Sequence, residues 1–482
     1  SLSTKLQEPR LLHFSLLDKA MAVEVDVQGK TRSYSAEDSH LVIIVGKRLQ
    51  RIPLYDVVSA DFNREVKSLE LGYVTRRKKS GPLLFIRVKG QVKGSEDEAA
   101  EFSTTLLEKA YEGVKRNRRL KVLINPNGGV GKAVPLFKLS VEPVLRAAGC
   151  SLDIVHTKGH GDAFDIAKNL PLDEFDALLT VSGDGLIHEV LNGFGKHPKP
   201  KKALAIPVAP VPAGSGNGLS LNLLGIEDGF DPVAAALNAV KGKPMSIDIF
   251  SITQNGETSL SFMSQALGLM ADLDLGTEHL RWMGDTRFFY GFLRGLIKFK
   301  SCALELSYKI AEEDKNTMFN TLKARREGTR PNYTPPAEDL GDVALPKPRY
   351  SSTDNDGWTT FDKPSLFIYA GQGPYVGRDF MAFPVSLPDD GLIDIFVQAK
   401  STRGDAIAMM DEAPRGGIYW NENCHYIKAH AYRIRPLSKR GSLSVDGERY
   451  PFEEFQVEVI PKLATLLSPY GCYAAEFKRQ ES

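Results

Sequence analysis

Three glycine-rich stretches, each placed after a short apolar run, constrain the fold of this chain most. They are Asn125–Ala133 (NPNGGVGKA), Ser182–Gly193 (SGDGLIHEVLNG) and Pro212–Leu219 (PAGSGNGL). Glycine allows backbone N–H groups to approach an anion closely, and the N-terminus of a following helix favours negative charge. Three such loops on neighbouring strand ends would cradle a polyphosphate, and the middle loop adds the carboxylate of Asp184. This layout is typical of a phosphoryl-transfer enzyme.

Neither of the two best-known phosphate-binding fingerprints fits these loops. Lys132 is followed by Ala133, whereas a P-loop places Ser or Thr there to hold Mg²⁺. The spacing Gly214-x-Gly216-x-Gly218 is too tight for the dinucleotide fingerprint. Each loop alone would also suit an ordinary tight turn, so the hypothesis depends on the three occurring in order.

The central part of the chain alternates short apolar runs with helical patterns. Near-continuous apolar strands joined by helices predict a largely parallel sheet covered on both faces. Ligands on such sheets bind beyond the carboxyl ends of the strands, where the three loops fall. The predicted strands are Val122–Asn125, Leu152–Val155, Ala177–Val181 and Ala203–Val208, with helices near 132–148, 161–169, 186–196 and 230–241.

The flanking regions have a different pattern. Before residue 119, short β-branched runs and one helical stretch, Glu96–Arg116, suggest a β-rich, pleckstrin-homology-like module that binds membranes or packs on the core. After about residue 244 the pattern is mostly β, with two helices within 277–300 and a polar stretch, 311–363, interpreted as a mobile surface insertion. The predicted domains are therefore 1–118, 119–244 and 245–482.

Composition excludes several classes of protein. With 42% apolar and 25% charged residues among 482, the chain resembles globular proteins, and its net charge of +1 gives no electrostatic case for nucleic acid. The four cysteines lie far apart, which favours a reducing compartment and no structural zinc. No apolar run reaches the roughly 18–20 residues of a membrane span, and no signal-peptide pattern opens the chain. A cytoplasmic protein, peripherally associated with membranes if its substrate is a lipid, is expected.

The three stretches, together with Ser444–Glu448 (SVDGE), resemble the diacylglycerol kinase catalytic family. Within that family the chain is most similar to the sphingoid long-chain-base (sphingosine) kinases, over about residues 119–473. The resemblance implies an N-terminal α/β nucleotide domain and a C-terminal β-rich, sandwich-like domain, with ATP in the cleft between them.

The resemblance also implies roles for individual residues. Asp184 would accept the proton of the lipid hydroxyl; an Asx turn or a helix N-cap is the alternative for an Asp between glycines. Asp446 would bind Mg²⁺, since carboxylate oxygens suit that ion. His188 is interpreted as a surface or core residue without a chemical role. The implied ATP-binding residues are Asn125, Gly128, Gly129, Gly131, Ser182, Gly183, Gly185, Gly214, Ser215, Gly216, Asn217, Arg281, Arg287, Asp446 and Glu448.

The segment Ser264–Asp274 (SQALGLMADLD) resembles the head-group recognition segment of sphingosine kinases. Ser264 and Asp274 would bind the head group, because an ammonium that leaves water needs a carboxylate partner. Asp272 is the alternative partner. Phe288 belongs to an apolar stripe that would line the acyl pocket, fill a core or face a membrane, and the basic residues nearby also permit calmodulin binding.

The function predicted from the sequence is an ATP- and Mg²⁺-dependent sphingoid-base kinase. A ceramide or diacylglycerol kinase shares the nucleotide site but has no ammonium for Asp274. A NAD kinase would give no reason for the Ser264–Asp274 segment. A non-catalytic lipid-binding scaffold is the alternative outside enzymes, and the intact loops argue against it.

Overall fold

The computed structural model describes residues 22–128, 131–276, 301–328, 344–351, 353, 355–400 and 402–479. The chain divides into two compact units. The first contains the residues up to Arg77 and Leu84–Gly113, and the second contains Lys78–Leu83 and the chain from Val114 onward.

In its described residues, the first unit contains seven strands and one long helix. The strands are β1 (Ala22–Val27), β2 (Lys30–Ala36), β3 (His40–Val45), β4 (Arg48–Pro53), β5 (Val57–Asn63), β6 (Ser68–Arg76) and β7 (Leu83–Lys93), and the helix is α1 (Glu96–Ala110). The strands form one sheet in the order β4-β3-β2-β1-β7-β6-β5. Ser95 caps α1 by accepting the Glu98 N–H, and Tyr111 after the helix donates its hydroxyl to the Val58 carbonyl at 2.7 Å. The pleckstrin-homology-like assignment stays a prediction.

The second unit begins with four parallel strands and the helices that cover them. The strands are β8 (Arg119–Ile124), β9 (Ser151–His156), β10 (Ala177–Ser182) and β11 (Val208–Pro212), and the helices are α2 (Ala133–Leu136), α3 (Glu142–Ala147), α4 (Asp162–Lys168), α5 (Asp184–Gly195), α6 (Pro200–Leu204), α7 (Gly218–Asp228) and α8 (Pro232–Lys241). The strand order is β11-β10-β8-β9. Every residue of β10 is buried, as expected of a parallel strand with helices on both faces.

The position of the fourth strand differs from the prediction. The sequence analysis places it at Ala203–Val208, whereas in the structure α6 ends at Leu204 and β11 runs from Val208 to Pro212. β11 contains Pro210 and Pro212, and proline weighs against a strand because it has no N–H to donate. These prolines are two residues apart, so both nitrogens point to the same edge. That edge meets the next strand only at Val208, so no ladder bond is lost.

The rest of the second unit is mainly antiparallel. Its strands are β12 (Lys243–Gln254), β13 (Glu257–Ser261), β14 (Ser264–Gly268), β15 (Leu304–Glu312), β16 (Thr359–Phe361), β17 (Ser365–Gly371), β18 (Tyr375–Gly377), β19 (Phe380–Met381), β20 (Ile393–Ala399), β21 (Cys424–Pro436), β22 (Leu443–Val445), β23 (Glu448–Tyr450) and β24 (Phe455–Ser468), and its helices are α9 (Leu269–Gly276), α10 (Lys315–Glu327) and α11 (Arg403–Glu412).

β24 joins the two kinds of sheet. It pairs in parallel with β11 and antiparallel with β12 and β21, so one mixed sheet of 15 strands crosses the unit. The predicted fold class, an α/β domain with a largely parallel sheet followed by a β-rich domain, is confirmed. A domain boundary near residue 244 stays a prediction.

The predicted mobile insertion at 311–363 is partly ordered. α10 occupies Lys315–Glu327, and Asp314 caps it by accepting the Thr317 N–H at 2.6 Å. Met318 and Leu322, one turn apart, are buried in the same hydrophobic cluster as the apolar residues of α9. β16 pairs with β15. The sequence analysis missed α10 because only these two of its thirteen residues are buried and most of the others are polar.

Candidate active site

The first two glycine loops meet beyond the carboxyl ends of β8 and β10. The Asn125 side chain accepts the Asn127 N–H at 3.0 Å, which holds the first loop in an Asx turn, and it donates to the Ser182 hydroxyl at 3.4 Å. A Cβ on Gly128 would lie 3.3 Å from that hydroxyl oxygen, so glycine allows the two loops to approach. Gly131 has φ +74°, and Gly129 lies outside the described residues.

The second and third loops are packed backbone against backbone. A Cβ on Gly214 would lie 2.3 Å from the Cα and the nitrogen of Gly183, closer than real contacts allow. The Asp184 N–H donates to the Gly216 carbonyl at 3.1 Å, and Asn217 closes the third loop by exchanging two hydrogen bonds with the backbone of Gly214. The structure therefore brings all three loops together at one edge of the parallel sheet.

Asp184 is buried at the centre of this arrangement. It is 7% exposed and is the first residue of α5, where its backbone is placed by the preceding glycine. Its carboxylate accepts the N–H of Gly218 at 2.7 Å and that of Leu219 at 3.2 Å. Asp184 thus caps α7, a different helix from its own, and its carboxylate is fixed where the N-termini of α5 and α7 converge.

Asp446 lies in the two-residue turn between β22 and β23. It has φ +49° and Gly447 has φ +88°, the backbone that an Asp-Gly hairpin favours. Its carboxylate is fully buried. Five groups donate to it: the hydroxyl of Ser261 at 2.8 Å, the backbone N–H groups of Phe262, Met263 and Ser264 at 3.1, 3.0 and 2.8 Å, and Nδ1 of His188 at 2.9 Å.

This geometry does not suit the predicted metal-binding role of Asp446. A carboxylate has about four lone-pair sites, and five donors already occupy the two oxygens. Glu448 is a more suitable ligand, because its side chain is 36% exposed and a Cβ on Gly185 would lie 2.9 Å from its Oε1. Within the described ranges, no group of three or more His, Cys, Asp or Glu side chains forms a ready metal site. One carboxylate together with nucleotide phosphates is a common way for proteins to hold Mg²⁺.

His188 has a partner that the sequence did not indicate. Burial lowers its pKa, but the hydrogen bond and charge of Asp446, with the charges of Glu448 and Glu189, outweigh this effect and raise the pKa above its usual value. The Tyr450 hydroxyl lies 3.3 Å from Nε2. His188 is one helical turn after Asp184, a spacing that places both residues on one face of α5. That spacing was the only feature of the sequence that indicated a place for His188 beside Asp184.

The head-group segment begins beside the Asp446 turn. Ser264 donates its N–H to the Asp446 carboxylate, and its carbonyl accepts the Asp446 N–H at 2.7 Å. Asp274 lies on α9, and its side chain is outside the described set. Asp272 is exposed and accepts the Ser442 hydroxyl at 2.7 Å. Arg281, Arg287 and Phe288 fall within 277–300, outside the described residues.

α9 carries an apolar face next to this segment. Leu269, Ala271 and Leu273 are buried in one hydrophobic cluster, in which they are grouped with Leu366, Phe367, Tyr369, Phe383 and Phe396. Glu189, on α5, instead accepts the Ala163 N–H at 3.2 Å, close to the start of α4. The buried polar centre at Asp446 and the apolar cluster around α9 are therefore joined through the short strand β14.

Comparison with known proteins agrees with this arrangement. Residues 119–252 match the model of the diacylglycerol kinase catalytic domain, and residues 331–468 match that of the YegS C-terminal NAD kinase beta sandwich-like domain. The chain is 34% identical to "Sphingoid long chain base kinase 4" of Schizosaccharomyces pombe, over 83% of this chain and 84% of that protein. It is 30% identical to "Sphingoid long chain base kinase 5" of Saccharomyces cerevisiae, over 76% and 62%.

More distant relatives include "Sphingosine kinase 1" of Homo sapiens, at 28% identity over 73% of this chain and 91% of that protein. Among solved structures, a putative diacylglycerol kinase from Bacillus anthracis str. Sterne superposes with a TM-score of 0.51. It is 19% identical, and the match covers 74% of this chain and 97% of that one. At that identity, the similarity establishes a shared fold.

Proposed function

The chain belongs to the sphingoid long-chain base kinases, which makes it an ATP-dependent lipid kinase, and from that premise we propose how its residues divide the work. Asp184 is proposed as the base that takes the proton of the primary hydroxyl of the sphingoid base as that oxygen attacks the γ-phosphate of ATP. The observation that carries this assignment is the buried Asp184 carboxylate, held by two N–H groups where three glycine loops meet. The product is the sphingoid base 1-phosphate.

The three loops are proposed to bind the nucleotide. Residues 213–216 are only half buried, so the backbone of the third loop is accessible beside Asp184. The N-termini of α5 and α7 both point to this place, and helix N-termini stabilise phosphate charge. Ser215 and the Asn125 loop would enclose the phosphates, and Arg281 and Arg287 would add guanidinium donors. Loose phosphoryl-transfer transition states need this positioning and charge more than covalent assistance.

Glu448 is proposed to help hold Mg²⁺ with the nucleotide. Its partly exposed carboxylate lies over Gly185, next to Asp184, the proposed catalytic base. The ion, when bound, would neutralise charge on the β- and γ-phosphates. Asp446 would have a structural role, since its five hydrogen bonds connect the turn before Glu448 to residues 261–264 and to α5.

The substrate class follows from Asp274 and the apolar cluster around α9. A sphingoid base carries an ammonium close to its hydroxyls, and an ammonium leaving water is stabilised by a carboxylate. Ser264 and Asp274 lie at the two ends of the segment that links the Asp446 turn to the buried face of α9. Ceramide and diacylglycerol have no such charge, so Asp274 would be left without a partner.

We also propose that the enzyme works on the cytoplasmic surface of membranes as a peripheral protein. None of the helices in the described part of the chain is both long and apolar enough to span a bilayer. A substrate with a long hydrocarbon chain resides in membranes, and an enzyme that extracts it must contact their surface.

The test is a transfer assay with labelled ATP and Mg²⁺, with sphingosine, ceramide and diacylglycerol supplied separately. We expect label on sphingosine alone, and Asp184→Asn should reduce it by about a hundredfold or more while ATP is still bound. Asp274→Asn should raise the KM for the lipid by about tenfold or more.

Asp272→Asn is the matched control, because it removes a carboxylate two residues away that already accepts the Ser442 hydroxyl. Its KM should stay close to that of the unmodified enzyme. Equal effects of the two Asp variants would refute the assignment of Asp274. Label on ceramide or diacylglycerol would overturn the substrate, and no transfer to any lipid would favour the scaffold.

A further inference from the structure

A buried series of hydrogen bonds connects the interior of the second unit to Asp446. The Tyr432 hydroxyl donates to Oε1 of Gln265 at 3.0 Å, and Nε2 of Gln265 donates to the Ser261 hydroxyl at 2.6 Å. The Ser261 hydroxyl in turn donates to the Asp446 carboxylate at 2.8 Å. We name these four residues the Tyr432–Asp446 network, and none of them is more than 2% exposed.

The hydrogen bonds of this network can run in one direction only. Because five groups donate to Asp446, its carboxylate is the acceptor, and the single hydrogen of the Ser261 hydroxyl points to it. The Ser261 oxygen must then accept, which turns the NH₂ group of Gln265 toward Ser261 and its carbonyl oxygen toward Tyr432. Burial raises the pKa of Tyr432 well above its usual value, so the hydroxyl keeps the hydrogen that this oxygen accepts. Neither a carboxylate nor a hydrocarbon side chain at position 265 could satisfy both neighbours.

Gln265 is a polar residue on a face of β14 that packs in an apolar cluster. Its cross-strand partners are Ala370 and Val445. Both belong, with Leu267 and Tyr432, to one hydrophobic cluster. Replacement of both partners of a buried hydrogen bond by apolar groups is often nearly neutral, so stability alone does not explain the amide. A fully satisfied buried network instead fixes one arrangement of the segments that it joins.

The network fixes the start of the head-group segment. The side chains of Gln265 and Ser261 bond to each other across the three residues between them, 262–264, whose N–H groups all donate to Asp446. Successive side chains of a strand point to opposite faces, so Ser264 presents its side chain on the face opposite Gln265. Ala266 shares that face with Ser264 and belongs to the hydrophobic cluster that contains the apolar residues of α9. The position of Gln265 therefore sets that of the Ser264 hydroxyl.

We propose that Gln265 is a positioning residue for the lipid head group: the Tyr432–Asp446 network holds Ser264 where its hydroxyl meets the polar groups of the sphingoid base. Gln265 would not touch the lipid, because its side chain lies on the opposite face of β14. The inference rests on the proposed function, and it adds a residue to which the family resemblance gives no role.

The test is steady-state kinetics of transfer to sphingosine, with the lipid and ATP varied in turn. Tyr432→Phe deletes only the hydroxyl at the far end of the network, and Gln265→Met replaces the amide by an apolar side chain of similar length. We expect each change to raise the KM for sphingosine about threefold to tenfold, the range that one hydrogen bond supports, while kcat and the KM for ATP stay within about twofold. The matched control is Tyr308→Phe, the same change at the residue directly opposite Tyr432 in the ladder, in the same cluster but outside the network. Its KM values should not change.

A double variant separates positioning from a general loss of structure. Tyr432→Phe combined with Ser264→Ala should raise the KM for sphingosine no further than Ser264→Ala alone, because the network acts through Ser264. A purely structural role would lower Tm and leave that KM unchanged, which would overturn the proposal. An equal rise in Tyr308→Phe, an additive effect with Ser264→Ala, or an equal rise in the KM for ATP would also overturn it. Absence of transfer to sphingosine by the unmodified enzyme would refute the proposed function and this inference with it.

Discussion

Substitution of Asp446 by Asn tests whether this buried carboxylate holds the site together. Oδ1 accepts three hydrogen bonds and Oδ2 accepts two, from Phe262 N–H and from His188. In Asp446→Asn the amide group replaces Oδ2 and presents hydrogen atoms to those two donors. Each hydrogen bond to a charged group contributes about 1.5–3 kcal/mol, so loss of both should cost about 3–6 kcal/mol of unfolding free energy.

The assay is thermal unfolding of the full chain, followed by kinetics on the folded variant. For a unit of this size, each kcal/mol lowers Tm by about 1–2 °C, so we expect a fall of about 6 °C. The variant should also have a higher KM for sphingosine, because the Asp446 carboxylate positions the backbone N–H groups of Phe262, Met263 and Ser264, which lead into the head-group segment. Glu448→Gln is the control for stability, since that side chain is half exposed on the same hairpin.

A Tm for Asp446→Asn within about 2 °C of the unmodified protein would refute this reasoning. An equal fall in Glu448→Gln would also refute it, because the destabilisation would then come from any charge loss in the turn. A normal Tm together with lost Mg²⁺ dependence would instead support the metal-binding role that the geometry argues against.

Three other outcomes are expected. Gly214→Ala should abolish ATP-analogue binding in a fluorescence titration, because its Cβ would lie 2.3 Å from the neighbouring loop, whereas Gly404→Ala in α11, where a Cβ meets only the Thr402 hydroxyl at 3.7 Å, should bind normally. Because the pKa of His188 is raised in the folded protein, its protonated form stabilises the fold at pH values below about 6.5, the pKa in the unfolded chain, and this stability is lost as the pH rises through the folded pKa. His188→Gln should flatten this part of the pH dependence of the free energy of unfolding, measured by chemical denaturation. An unchanged pH dependence would contradict the assignment. Glu448→Gln should raise the Mg²⁺ concentration for half-maximal activity, while Glu454→Gln, an exposed change nearby, should leave it unaltered.

The sequence predicted the loops correctly because their geometry is local. A glycine-rich turn after a buried strand needs only a few residues to specify it, and parallel strands bring such turns to one edge. The predicted strand at Ala203–Val208 was wrong, since the observed strand β11 runs from Val208 to Pro212 and includes two prolines, which by local preference weigh against a strand. Local preference failed there because tertiary context decided the pairing.

The role of Asp446 could not be predicted from the sequence for a different reason. The Asp446 carboxylate accepts hydrogen bonds from Ser261 and Ser264, which precede it in sequence by 185 and 182 positions. It also contacts His188, which precedes it by 258 positions. The motif SVDGE indicates a tight hairpin with two carboxylates, but which of them points inward depends on strand register. The structure buries Asp446 and leaves Glu448 36% exposed, and the proposed roles of the two residues follow from this difference.

The pairing of β24 has a consequence for how the chain folds during synthesis. Its partners β11, β12 and β21 all precede it in sequence, and Val208 of β11 cannot form its bridge until Leu466 of β24 is present. Until β24 emerges from the ribosome, these strands present unpaired edges, which are templates for aggregation. We therefore expect nascent chains from which Phe455–Ser468 has not yet emerged to bind chaperones, and this binding to end once Ser468 has left the ribosome.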